Sequence, residues 1–436
     1  MTHRRSCLLL AAACTLLVVP GGSTRAADWP HWRGPAFNGS SPETGLPVTW
    51  SRTDGIAWSA ALPGPGDATP IIVGDRVYVS STDASSNALV GLCLSAEDGK
   101  VLWRVRLGTD VRAPRNTMAS PSPVADDKVA VFLYGTGEMA GVDPAGKVLW
   151  RRNLGDEFGK MTLKYGYSSS PLLLDGRVYV LVLRRPWAYR YNPGRTTPEE
   201  RRRALDSFLL ALDPATGKTL WRHVRPTETV DESYESYGTA VPWGAGEART
   251  DLVISGGDYV TGHDPANGAE RWRWGYNPEH KNMQRLIPSP TPGPERVFVP
   301  LPRGGRLAAL APGADGVRLA WDLDGPTTDS ATPLFYAGML VILDSDRKDV
   351  RAVDPATGAE RWRTKLGGAV WRASPTGADG KIYGFSVEGE VAVLDAKTGK
   401  ILSRIDMNGK EVRSSVAVAG GRLFIRTHDT LYCIGK

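Results

Sequence analysis

One short motif, written again and again, limits what this chain can fold into. Its clearest copy is Leu209-Leu210-Ala211-Leu212-Asp213-Pro214-Ala215-Thr216-Gly217-Lys218-Thr219-Leu220-Trp221. Leu209 to Leu212 reads as a short apolar strand. Asp213 to Gly217 is turn chemistry: Asp opens the turn, Pro fixes φ, and Gly is free to take φ > 0 at the exit. Lys218 to Trp221 begins a return strand that ends on a large aromatic. Alone this is an ordinary hairpin.

Further copies run Glu97-Asp98-Gly99…Trp103, Asp143-Pro144-Ala145-Gly146…Trp150, Asp264-Pro265-Ala266-Asn267-Gly268…Trp272, the degenerate Pro312-Gly313-Ala314-Asp315-Gly316…Trp321, and Asp354-Pro355-Ala356-Thr357-Gly358…Trp362. Asp395-Ala396-Lys397-Thr398-Gly399 keeps the turn and puts Ser403 where the Trp stood. Most intervals are roughly 40–50 residues, the length of a four-stranded propeller blade. Upstream of six of the hairpins comes a small residue followed by Pro: Thr69-Pro70, Ser122-Pro123, Ser170-Pro171, Ser289-Pro290, Thr332-Pro333 and Ser374-Pro375. An alternating run follows, such as Arg177-Val178-Tyr179-Val180-Leu181-Val182. Alternation argues half-buried strands. Each unit is therefore four strands, A to D, with the hairpin as C and D.

The two ends set the count. Arg413 to Cys433 supplies strands A, B and C and then the chain stops; Ile56 to Leu62 looks like a strand D with no C before it. The expected fold is all-β: an eight-bladed propeller over 56–436, with the N-terminal strand completing the last blade. Closure removes exposed sheet edges. Abundant Gly and Pro, 49 and 32 residues, suit such a turn-rich chain.

Residues 1–27 stand apart. A basic His3-Arg4-Arg5, an apolar run from Cys7 to Val19 and the small residues near Ala26-Ala27 read as a secretory signal. The apolar run is short for an uncleaved membrane anchor, the competing reading. A mature protein that is periplasmic or secreted, monomeric and not membrane-spanning is expected. The whole chain carries +6; loss of Arg4, Arg5 and Arg25, with no acids, leaves +3. That balance gives no argument for nucleic acid. Cys93 and Cys433 would remain, both at the same strand C position, in blades 1 and 8. Equivalent positions of adjacent blades should exceed the roughly 7 Å limit for a disulfide, so they read as two buried thiols.

Residues 28–55, with Trp29, Trp32 and Trp50, read as a strap packed across the propeller, its aromatics burying apolar area. Blade 3 carries an insertion over 184–206, where Thr197-Pro198-Glu199-Glu200 signals a short helix.

In a four-stranded blade the D–A linkers and B–C loops share one face. Arg112, Arg115 and Asn116 lie on the linker into blade 2, and Lys164 and Tyr165 on that into blade 3. Tyr234 and Tyr237 lead into blade 4, His280 and Arg285 into blade 5, Trp371 and Arg372 into blade 7, and Arg413 into blade 8. These residues are expected to ring one mouth of the central channel, a default binding site. The competing reading is that long loops are polar because they are wet.

The hairpin resembles the tryptophan-docking repeat of the quinoprotein family, eight-bladed propellers that include pyrroloquinoline-quinone-dependent alcohol dehydrogenases. Trp103, Trp150, Trp221, Trp272, Trp321 and Trp362 match, with Trp58 as the shared copy. The resemblance implies that each Trp locks neighbouring blades. The lead-in Trp32-Arg33-Gly34-Pro35 with Gly45-Leu46-Pro47 is similar to that of exported quinone-repeat propellers of unassigned function. Barrel-assembly accessory lipoproteins share the repeat without being enzymes.

Fold resemblance does not carry activity. The dehydrogenases use an adjacent-cysteine disulfide, a Ca²⁺ site of Glu, Asn and Asp, and an Asp base. No adjacent Cys pair occurs here, and no such calcium set can be matched residue by residue. Glu228, Asp231, Glu232 and Glu235 do cluster on one linker, so an altered oxygen-rich Ca²⁺ site stays open. HExxH, CxxC and P-loop motifs are absent, and the His residues lack ligand-like spacing. No catalytic residue and no metal site is assigned. The expected function is non-enzymatic binding of a protein, peptide or saccharide at the channel mouth. The alternative is an alcohol or sugar oxidoreductase with pyrroloquinoline quinone, calcium and a divergent site.

Overall fold

The computed structural model describes residues 27–111, 116–187, 205–244, 249–325 and 327–435. Its strands form eight four-stranded antiparallel sheets in which sequence neighbours pair. Blade 1 runs Ile71–Val73, Arg76–Asp83, Ala88–Ser95 and Val101–Thr109; the next six repeat the order. Blade 8 is the exception that closes the ring. Ala417–Ala419, Arg422–Arg426 and Thr430–Ile434 are completed by Ile56–Ala61, with Trp58 opposite Cys433 and Ser59 opposite Tyr432. Helix is confined to Leu154–Phe158 and two 3-10 turns among the described residues.

Burial corrects one expectation. The inner strands are not half-buried: Arg177–Val182 is buried after its first residue and Phe208–Leu212 throughout. Each blade is covered on both faces by its neighbours, so strands B and C need apolar residues on both sides. Only the outermost strand shows a wet face, as in Thr219–Val224.

The tryptophans sit in the seams between blades. The indole N–H of Trp58 donates to Ala96, Trp103 to Pro144, Trp150 to Pro214, Trp221 to Pro265, Trp321 to Pro355 and Trp362 to Ala396, each a carbonyl in the C–D turn of the next blade. Trp272 differs. Blade 5 has the degenerate turn, and the Trp272 N–H turns back to Asp251 of its own blade at 2.7 Å. The residue opposite each docking Trp is small: Cys93, Gly141, Ala211, Gly262, Ala309, Ala352 and Cys433. Cys93 and Cys433 fill this slot as free, buried thiols. Burial pushes them up to about 12 and about 11.

The seam from blade 7 to blade 8 has no docking Trp, for a geometric reason. Blade 8 draws its strands C and D from opposite ends of the chain, so it has no C–D turn to receive one. The N-terminal segment crosses there instead. Ser403 donates to the Val48 carbonyl, Tyr383 Oη to the Pro47 carbonyl at 3.0 Å, and Trp50 Nε1 reaches Met407 Sδ at 3.3 Å.

Candidate functional site

Residues 29–41 close the channel on the side of the A–B turns. Trp29 exchanges backbone hydrogen bonds with Ile72 in strand A of blade 1, and Gly39 and Ser41 bond Gly377 in strand A of blade 7. Between them, Pro30 accepts from Ala125 N–H, His31 Nε2 faces the Leu173 carbonyl at 3.2 Å, and Asn38 accepts from Phe335 N–H. Five blades thus hold one short segment. Arg33 is 2% exposed and donates to the Pro333 and Pro375 carbonyls at 2.9 Å. Without a carboxylate beside it, burial pushes its guanidinium down to about 9. Bonded to strands A of five blades, residues 29–41 form a plug at this end of the channel.

Above the plug lies a cavity of about 290 Å³. Its lower wall is a ring of hydroxyls, one from the start of each strand A: Thr69, Ser122, Ser170, Thr239, Ser289, Thr332, Ser374 and Ser415. Backbone N–H groups link them blade to blade. Ser415 N–H donates to Thr69, Thr69 to Ser122, Ser122 to Ser170, Ser170 to Thr239, Thr239 to Ser289, Ser289 to Thr332, and Thr332 to Ser374, all at 2.8–3.0 Å. Six of these residues were legible only as strand markers preceding Pro; Thr239 and Ser415 lack the Pro.

Each of the eight D–A linkers adds to the upper wall: Asp67, Asn116, Tyr165, Tyr237, Arg285, Asp329, Arg372 and Arg413 in blade order. Ser345 and Asp346 and further linker residues such as Ser120 and Ile287 add to it, and Trp32 of the plug forms the floor. Part of this wall is one hydrogen-bonded run. Arg413 donates to Asn116 Oδ1, Asn116 Nδ2 to the Tyr165 carbonyl at 2.9 Å, Tyr165 N–H to Tyr237 Oη at 3.3 Å, and Tyr237 Oη to Glu235 Oε2 at 2.5 Å. Burial, reinforced by the Glu235 carboxylate, holds the Tyr237 phenol well above its ordinary range. Burial also raises Asp67, opposed by the Arg413 charge.

Six expected mouth residues therefore meet at one cavity: Asn116, Tyr165, Tyr237, Arg285, Arg372 and Arg413. Four do not line it. Lys164 lies beside Glu232, 3.5 Å from its carboxylate, with its ammonium 5.3 Å from the Tyr165 ring. Tyr234 packs edge-on to Trp187, His280 Nδ1 faces Asp258 Oδ2 at 2.8 Å, and Trp371 is fully buried with its indole N–H on the Gly367 carbonyl. Arg112, Arg115 and the helix signalled at Thr197–Glu200 lie outside the described residues. The features that sequence reading missed are Trp32 as cavity lining and the hydroxyl ring; Ser345-Asp346, readable as a short B–C turn, does reach the cavity.

The clustered acids are already engaged. Glu228 accepts from Tyr259 Oη at 3.0 Å, Asp231 faces Arg185, Glu232 accepts from Arg285 at 2.9 Å, and Glu235, wholly buried, pairs with Arg185. Among the described residues no three His, Cys, Asp or Glu side chains converge as a metal site. Cys93 and Cys433 fill seam slots in separate blades, away from the channel. That acid cluster, paired within the chain and outside the cavity lining, does not fit a calcium-held quinone.

Comparison with known proteins agrees with this frame. A family model described as outer membrane protein assembly factor BamB matches residues 42–186, 205–368 and 346–434. The polyvinylalcohol dehydrogenase of Sphingopyxis sp. (strain 113P3) is 23% identical over 95% of this chain and 72% of its own length. The BamB of Burkholderia pseudomallei (strain K96243) is 22% identical over 85% of each. Among solved structures, the quinohemoprotein alcohol dehydrogenase of Comamonas testosteroni superposes with a TM-score of 0.67 at 14% identity, over 94% of this chain and 81% of that one. The chain belongs to the quinone-repeat propeller family represented by the BamB model.

Proposed function

We propose that this protein is exported through its N-terminal leader and acts outside the cytoplasm as a monomeric, non-catalytic binding propeller. Its site is the cavity walled by the eight linkers, and its ligand a protein segment, peptide or saccharide entering from the linker face. One observation carries this reading: the acids clustered on the linker into blade 4, the sequence's candidate calcium ligands, lie outside the cavity lining and are paired with Arg185, Arg285 and Tyr259 within the chain. The plug leaves the linker side as the route in. The assembly factor among its relatives is consistent with a binding role.

The likeness to polyvinylalcohol dehydrogenase over 95% of this chain favours a second reading, a quinone-dependent oxidoreductase. The two separate on adding pyrroloquinoline quinone with Ca²⁺ to purified protein and following absorbance and thermal unfolding. A binding propeller shows no saturable quinone spectrum and no shift in Tm. Stoichiometric uptake with a raised Tm would establish the oxidoreductase instead.

A further inference from the structure

The ring hydroxyls are buried, none more than 7% exposed, and they line the cavity. Seven of them spend an acceptor site on a neighbouring backbone N–H. Among the described residues, no ring O–H has an acceptor in the chain. A buried donor without an acceptor is costly, so a ring of them favours an occupant rich in acceptors.

The charged groups narrow the choice. Arg285 Nη1 is committed to Glu232, with Asp329 3.7 Å from Nη2, and Arg413 to Asn116. Arg372 is exposed and has no partner among the described residues. A guanidinium takes a carboxylate bidentately. One free guanidinium matches one carboxylate, not the several of a quinone tricarboxylate. Asp329 and Asp346 can accept from ligand hydroxyls. Trp32, half-buried at the floor, offers an aromatic face for C–H surface. A volume of about 290 Å³ is near the lower end of ligand pockets.

We infer that the cavity is a site for a small sugar acid, a polyhydroxylated ring bearing one carboxylate, stacked on Trp32 with its carboxylate on Arg372. This rests on the binding role proposed above and names its ligand class. The quinone alternative predicts a different occupant of the same space.

Calorimetric titration of the full mature protein with glucuronate, glucose and acetate tests it. Glucuronate is expected to bind saturably, with glucose and acetate each at least tenfold weaker. Arg372→Gln should weaken glucuronate at least tenfold while leaving Tm unchanged, because the side chain is exposed; Arg372→Lys should recover part of the loss. No glucuronate heat, equal affinity for glucose, or indifference to Arg372→Gln would overturn the sugar-acid site. If glucuronate fails and quinone also fails to bind, the general binding role survives. If quinone with Ca²⁺ binds instead, both fall.

Discussion

Trp150 and Gly217 belong to different blades, yet the Trp150 ring lies directly against the Gly217 Cα. A Cβ on Gly217 would stand 2.5 Å from that ring, and its φ is +68°. The same relationship joins Trp58 to Gly99, Trp221 to Gly268 and Trp362 to Gly399. The Gly of each turn is therefore a docking surface as well as a turn residue.

Gly217→Ala should destabilise by more than Gly176→Ala. Gly176 has nearly the same φ, +69°, but open space around it. Both substitutions carry the left-handed backbone cost of about 1–2 kcal/mol. Only Gly217→Ala adds overpacking, typically about 1–3 kcal/mol. Urea unfolding of the two variants measures the difference.

Thr332→Val removes the acceptor for the Ser289 N–H while keeping shape. An orphaned buried donor costs about 1–3 kcal/mol. Thr332→Ser keeps the acceptor and should lose only about 0.8 kcal/mol for its methyl group. Equal losses in the two variants would mean that the inter-blade bonds contribute nothing.

The N-terminal segment replaces a docking Trp at the closing seam. Trp50 is 7% exposed beside Met407. Trp50→Ala should cost about 3–5 kcal/mol, the range for a large buried aromatic. Ser403→Trp should not stabilise, because blade 8 has no C–D turn to receive its indole. Thermal unfolding of both variants decides.

Acid should weaken the fold before most carboxylates titrate. Burial lowers both His31 and His263 from 6.5 to about 4. Above pH 6.5 both states are neutral at these sites. As pH falls toward 4, the unfolded chain gains protons that the folded chain refuses. Stability should drop by up to about 1.4 kcal/mol per pH unit for each His. His31→Gln should remove about half of this combined slope between pH 6 and 4.5, measured by denaturation at several pH values.

The hairpin code made the eight blades and their closure legible, because Asp, Pro, Gly and Trp each act locally. The site was legible only in part. Asn116, Tyr165 and Arg413 could be placed on linkers from their position after strand D. The linkers are longer than the mouth needs, so Lys164, Tyr234 and His280 pack against neighbouring loops instead. Trp371 and Arg372 are adjacent, and only one of two consecutive extended residues can face the channel. The hydroxyl ring was invisible because Ser or Thr before Pro reads as a strand start; its meaning appears only when eight copies converge on one axis. Trp32 reaches the cavity because its neighbours His31 and Arg33 bond to distant blades, which no local pattern encodes.

Dye-linked oxidation tests the binding role most directly. The purified protein is supplied with pyrroloquinoline quinone and Ca²⁺ and offered polyvinyl alcohol, simple alcohols and sugars. The expected result is no turnover above the protein-free control. Sustained turnover that requires the protein, the quinone and the calcium together would contradict a non-catalytic propeller.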